Sequence, residues 1–187
     1  MFRRAVVLCF AAALLASCAK GSSGTSSELS YVAGDGSTIY VSADKRGSAI
    51  AVAGTTLDGS ALDTKAWLGK VVVVNLWASW CGPCRGEATA LANSYKNLRT
   101  LGVQFVGLNT RDGLAAAQAF SRRFPTGYPS LQDQNGQLIL AFGNLGPAAT
   151  PSTIVLDRAG RIAARILGPV TQAQLRDVVT AVISEKS

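Results

Sequence analysis

The chain has 187 residues, which suits one domain with additional segments. A hydrophobic content of 48% with three Trp excludes a disordered chain. The formal net charge is +7, but the basic residues are scattered in singles and pairs such as Arg3-Arg4 and Arg122-Arg123. With no basic stripe interleaved with aromatics, nucleic acid is not an expected partner, and a basic surface suits an anionic membrane face.

Arg3 and Arg4 precede AVVLCFAAALL, an apolar run of 11 residues (5–15). A mature spanning helix needs about 20 residues, so this run has the length of a signal-peptide core. The string LASC, ending at Cys18, reads as a bacterial lipobox, where cleavage precedes a Cys that takes a lipid. One acyl chain anchors marginally and two or more anchor stably. The expected layout is a signal peptide over 1–17, then Cys18 with a Gly/Ser/Thr-rich tether over 18–30. A β arm over 31–53 and the main domain over 54–187 follow. Cys9 leaves with the signal peptide, so the mature domain keeps Cys81 and Cys84. The chain has no His, and a usual Cys/His zinc set cannot be assembled. No metal or cofactor is expected. Export places the two thiols in an oxidising compartment.

In chain order, YVAGDGSTIYVSA (31–43) predicts a hairpin turning at Gly34-Asp35-Gly36, and SAIAV (48–52) another strand. AGTTLDGSALD (53–63) reads as a loop leading into a helical turn capped by Asp63 and ended by Gly69. KVVVVNLW (70–77) is a β-branched run typical of a strand buried on both faces, and Trp77 belongs to the core. A helix is expected from Gly82 to about Leu101, stopped by Gly102. Its apolar stripe is Cys84, Ala88, Leu91, Tyr95 and Leu98. VQFVGLN (103–109) is a second buried strand. Asp112 is expected to cap a helix over 113–124 that Pro125 ends. PSLQD (129–133) is extended, DQNG a turn and QLILAFG (137–143) a short helix. STIVLD and RIAARIL predict a strand pair joined by Asp157-Arg158-Ala159-Gly160. Thr171 caps a last helix whose buried face carries Leu175, Val178, Val179 and Val182. The class is α/β.

The chemistry rests on WASWCGPCRGE (77–87). A Cys-x-x-Cys after a buried strand, opening a helix, points to redox work. The partial positive charge and free N–H groups of a helix N-terminus favour a thiolate at Cys81, and a thiolate is what attacks disulfides. Cys84, on the apolar stripe, is shielded and resolves the mixed disulfide, leaving Cys81–Cys84 oxidised. Pro83 fits the first helical turn. A purely structural bridge closing so short a loop stabilises by only about 2 kcal/mol in the chain-entropy model.

WCGPC, the strand before it and the later Thr150-Pro151 resemble the thioredoxin superfamily, and more closely its TlpA/ResA-like membrane-anchored thiol–disulfide oxidoreductases, over about residues 48 to 187. Three features favour that branch. They are the exported N-terminus, an insertion around residues 110 to 130, and Glu87 three residues after Cys84. Asn75, on the strand before the cysteines, stands where thioredoxin keeps a buried aspartate, again as in that branch. The family often reads Glu-x-Pro after the second Cys, whereas this chain reads Glu87-Ala88-Thr89, so the resemblance does not carry that proline's kink over to this helix.

The resemblance implies a thioredoxin-like fold. Its central mixed sheet is flanked by helices, with an N-terminal β-hairpin arm and an inserted helix/strand segment. It implies that Thr150-Pro151 is a cis-proline site able to pair with extended substrate. Gly82 and Pro83 then lie against substrate too. Trp80 is partly exposed, with substrate contact and packing both open. Glu87, bordering the stripe, has a carboxyl pKa raised by burial and passes protons to and from Cys84. Gly-Pro is the pair of thioredoxin, poised near about −270 mV against about −120 mV for a strong oxidant. Reductase activity is therefore expected, with a membrane thiol transporter as donor and apocytochrome c as a leading protein substrate for a monomeric enzyme. A disulfide oxidase or isomerase is the alternative, and a non-catalytic binding module lacks the His that copper carriers of this fold pair with cysteine.

Overall fold

In the computed structural model the described residues are 36–147 and 149–185. Cys18, the signal-peptide and tether readings and the first limb of the expected hairpin lie outside them. The β-branched run forms β4 (Val72–Trp77), buried at every position. Beside it lie β5 (Gln104–Thr110) and β6 (Ser130–Asp133), both parallel in sense. On its other side β7 (Ser152–Leu156) runs antiparallel to β4, and β8 (Ile162–Leu167) pairs antiparallel with β7. β1 (Thr38–Tyr40) closes the row against β8. The order is β1-β8-β7-β4-β5-β6, a mixed sheet. The described limb of the arm is thus part of the main sheet.

Side-chain alternation divides the core. Val73, Phe105, Val155 and Ile166 face α1 (Gly82–Leu98) and α3 (Gln172–Ser184), meeting Leu91, Leu175 and Val179. Val72, Val74, Leu76, Val106 and Ile154 face the other way, where Trp67, Phe142 and Leu145 cover them. Two 3₁₀ helices, Thr64–Trp67 and Leu138–Leu145, supply that cover. The second breaks helical geometry at Gly143. A short α2 (Leu114–Arg123) occupies the insertion between β5 and β6.

Local signals explain the helix ends. Asp63 accepts from the Lys65 N–H and Thr171 from the Gln174 N–H, each an N-cap. A 3₁₀ turn (Arg99–Leu101) continues α1 and ends at Gly102 with φ 82°, a left-handed conformation that glycine adopts without a Cβ penalty.

Two expectations need correction. Residues 53–63 are a hairpin of β2 (Ala53–Thr55) and β3 (Ala61–Asp63), not a loop. It is held from outside: Thr56 bridges Leu131 and the Leu57 N–H donates to Ser130 O. Residues 48–52 form no strand. They join no ladder, and their donors are taken singly, Ile50 by Gly160 O and Val52 by Thr64 Oγ1.

Candidate active site

β4 ends at Trp77, and the chain turns through Ala78, Ser79 and Trp80 to Cys81, the N-cap of α1. The turn is closed by the Cys81 N–H donating to Ala78 O at 3.2 Å. Cys81 has extended backbone angles (φ −79°, ψ 107°), and its Sγ accepts from the Cys84 N–H at 3.2 Å. The sulfur therefore sits on the free N–H groups of the helix, where a thiolate gains most. Pro83 occupies the first turn, where no helical N–H is lost. Cys81 and Cys84 are joined in a disulfide with a Cα–Cα separation of 5.4 Å.

Both sulfur-bearing residues are buried, Cys84 as expected and Cys81 equally so. They cluster with Leu57, Trp77, Ala78 and Ala117, with Phe120 partly buried against them. Leu57 comes from the β2–β3 hairpin, so its place beside the cysteines has no local signal in the sequence. Phe120 of α2 stacks tilted on Trp77 with ring centroids 4.9 Å apart.

One turn after Cys84, Glu87 is 2% exposed. Its Oε1 accepts from Asn75 Nδ2 at 3.0 Å and its Oε2 from the Val170 N–H at 2.9 Å. Asn75 Nδ2 also donates to Thr153 Oγ1 at 3.2 Å. Burial pushes the Glu87 carboxyl up to about 7, with the Val170 and Asn75 donors pulling partly back. Cys84 and Glu87 both line a small cavity with Asn75, Trp77 and Tyr128. Its volume of about 20 Å³ is room enough for about one water.

The Thr150-Pro151 bond is cis. The register Leu76↔Ser152 puts Pro151 level with Trp77, at the end of β4 where the cysteine turn departs. Trp80 is half-exposed, its Nε1 donating to Arg111 O at 3.0 Å. Gly82 is exposed beside it. α1 runs unbroken through Thr89, in keeping with the missing proline.

Asp112 is not the cap of α2; Gly113 is the N-cap and no side chain bonds there. Asp112 is turned toward the cysteine turn instead. Its Oδ2 accepts from the Ser79 N–H at 2.6 Å and Asn109 Nδ2 at 2.9 Å, and its Oδ1 from Ser79 Oγ at 2.8 Å. Ser79, 33 residues away, outcompetes the local helix end. Among the described residues no group of three or more His, Cys, Asp or Glu is gathered as a metal ligand set.

A dithiol pair at the mouth of a helix, beside a central strand of a mixed sheet and level with a cis-proline, defines a thiol–disulfide oxidoreductase of thioredoxin fold. The chain belongs to the Redoxin family, whose match spans residues 35–182, and within the thioredoxin superfamily it is ResA-like. It is 26% identical over 125 residues to the thiol-disulfide oxidoreductase ResA of Bacillus subtilis, covering 67% of this chain and 68% of that one. It is 39% identical over 113 residues to the thiol:disulfide interchange protein HelX of Rhodobacter capsulatus, covering 60% of this chain and 58% of the relative. A secreted thiol-disulfide isomerase from Corynebacterium glutamicum superposes with a TM-score of 0.73 at 30% identity, covering 81% of this chain and 95% of that structure.

Proposed function

We propose that this oxidoreductase is an extracytoplasmic reductase, tethered to a membrane through lipid on Cys18 and acting as a monomer. The observation that carries the reading is the buried Glu87 carboxyl, poised near neutrality one turn from Cys84. The reduced enzyme begins with Cys81 as thiolate. It attacks a substrate disulfide and expels one substrate thiolate, which takes up a proton. The mixed disulfide is then opened by Cys84, whose proton passes to Glu87. Cys84 sulfur bonds to Cys81 sulfur, the second substrate thiolate leaves and is protonated as Glu87 gives its proton up again, and the other substrate proton comes from solvent. The substrate gains two electrons and two protons, and the enzyme is left as the Cys81–Cys84 disulfide.

Trp80, Gly82, Pro83, Thr150 and Pro151 form the surface against which an extended substrate segment lies. The Gly-Pro pair supports the reducing direction. Reduction in an oxidising compartment requires electrons brought through the membrane, which supports a membrane thiol transporter as donor. The family resemblance supports apocytochrome c as substrate, its paired haem-site cysteines needing reduction before haem attachment. Among the described residues no helix is long and apolar enough to cross a membrane.

The test is a Cys84→Ser variant, which stops at the mixed disulfide. Trapping of apocytochromes and a membrane thiol transporter supports the reading. Capture of many unrelated exported proteins would favour an oxidase or isomerase, the second being the activity named for the Corynebacterium structure. A reduction potential above about −150 mV would point the same way. Mass spectrometry of the mature protein tests the lipid on Cys18.

A further inference from the structure

Both residues preceding Cys81 are fastened to one place. Ser79 gives its N–H and its hydroxyl to Asp112, and Trp80 gives its indole N–H to Arg111 O. Arg111 has φ 48°, a region that bulky L-residues seldom adopt. Its N–H is held by Asp133 O at 3.1 Å, which ties the junction to β6. Asp112 is 6% exposed, and burying a carboxyl is costly unless donors surround it. Three donors do, and none of them belongs to the helix that follows.

We infer that Asp112 is a positioning residue for thiol–disulfide exchange, holding Ser79 and Trp80 so that the Cys81 sulfur stays on the N-terminus of α1. This rests on Cys81 being the attacking thiol. The link is geometric. The Cys81 Sγ meets the Cys84 N–H only while the turn from Ala78 keeps Cys81 extended. A slack turn lets the sulfur leave the helix end, and its thiol pKa rises. The same slack frees the Trp80 indole from Arg111. Asn in place of Asp112 preserves all three contacts. Its oxygen accepts from the Ser79 N–H and Asn109, and its NH₂ donates to Ser79 Oγ, which rotates to accept. Ala preserves none. Comparing the two isolates the hold on the turn from the charge.

The experiment uses the full chain, reduced, as Asp112→Ala, Asp112→Asn, Ser79→Ala and Cys81→Ser. The Cys81 thiol pKa is read from the pH dependence of iodoacetamide alkylation, and kcat/KM from reduction of insulin disulfides. Asp112→Ala is expected to raise the Cys81 pKa by about one unit relative to Asp112→Asn and to lower kcat/KM about tenfold. Asp112→Asn restores the rate to within about threefold of the native protein. Ser79→Ala, which keeps the backbone contact, falls between. Equal pKa and rate in the Ala and Asn variants, or native values in Asp112→Ala, overturn the inference. If Asp112→Ala does not fold by circular dichroism, Ser79→Ala decides: a raised pKa supports the inference and a native pKa and rate overturn it. An active Cys81→Ser protein would sink the underlying reading of Cys81. With that variant inactive, failure of the Ala–Asn comparison counts against Asp112 alone.

Discussion

Asn75 and Glu87 meet inside the core, the strand amide donating to the helix carboxyl at 3.0 Å. Together with the Val170 N–H this gives the carboxyl two donors, fewer than water would. Its pKa therefore rises from 4.5 to about 7. The folded protein holds a proton that the unfolded chain releases, so stability is full below pH 4.5 and is lost as pH climbs through about 7. The loss is on the order of 3 kcal/mol. Urea unfolding of the oxidised protein across that window should show it, and Glu87→Gln should flatten it. An equally steep fall in the Gln variant would remove Glu87 as the source.

The same substitution tests the proton transfer. Glu87→Gln fits the site but accepts no proton, so resolution of the mixed disulfide should slow about a hundredfold. Formation of the mixed disulfide, which the proposed mechanism gives to Cys81, should change little. Rapid-quench trapping separates the two steps. A slowed first step with a normal second would reassign Glu87.

Gly107 has no room for a side chain. A Cβ there would lie 2.2 Å from Ser130 Oγ and 2.7 Å from Trp77 Nε1, the two atoms of a 3.1 Å hydrogen bond. Gly107→Ala must push them apart, at a cost of about 2–3 kcal/mol from overpacking and the lost bond. Denaturant midpoints report the cost, and Trp77 fluorescence should shift with it. A native midpoint would show that the neighbouring strand yields easily.

How far the sequence predicted this structure depended on where each element finds its partners. β4 declared itself because a run of four Val is stable only when both faces are covered. Asp63 and Thr171 were legible because a cap bonds within three residues of itself. Asp112 carried the same local signal and went elsewhere, because Ser79 and Asn109 together offer three donors. The hairpin at 53–63 has no alternating apolar face of its own. Its order comes from Ser130 and Leu131, invisible from its own residues. The cysteine pair was readable from spacing and Glu87 was singled out through the resemblance, but the partners of Glu87 lie 12 and 83 residues away.

Arg46 links three parts of the chain. Its guanidinium bonds Asp157 at 3.1 Å and both Glu185 oxygens at 2.6 Å, and its Nε donates to Val41 O. Arg46→Ala leaves Asp157 with Arg161 and two backbone donors, so the loss should be only about 1–2 kcal/mol. The last turn of α3 should lose amide-exchange protection first. Uniform loss across the sheet would mean that the arginine stabilises more than the helix end.

The bridge between Thr56 and Leu131 has a colloidal consequence. β6 is an outer strand, and an unpaired row of N–H and C=O groups is a template on which other chains add. Substrates of the proposed kind would present extended segments to the enzyme. The β2–β3 hairpin seals that seam at Thr56 and Leu57, so β6 offers no open row there for another chain to join. Opening the seam would expose that row to strand addition, a route to aggregation.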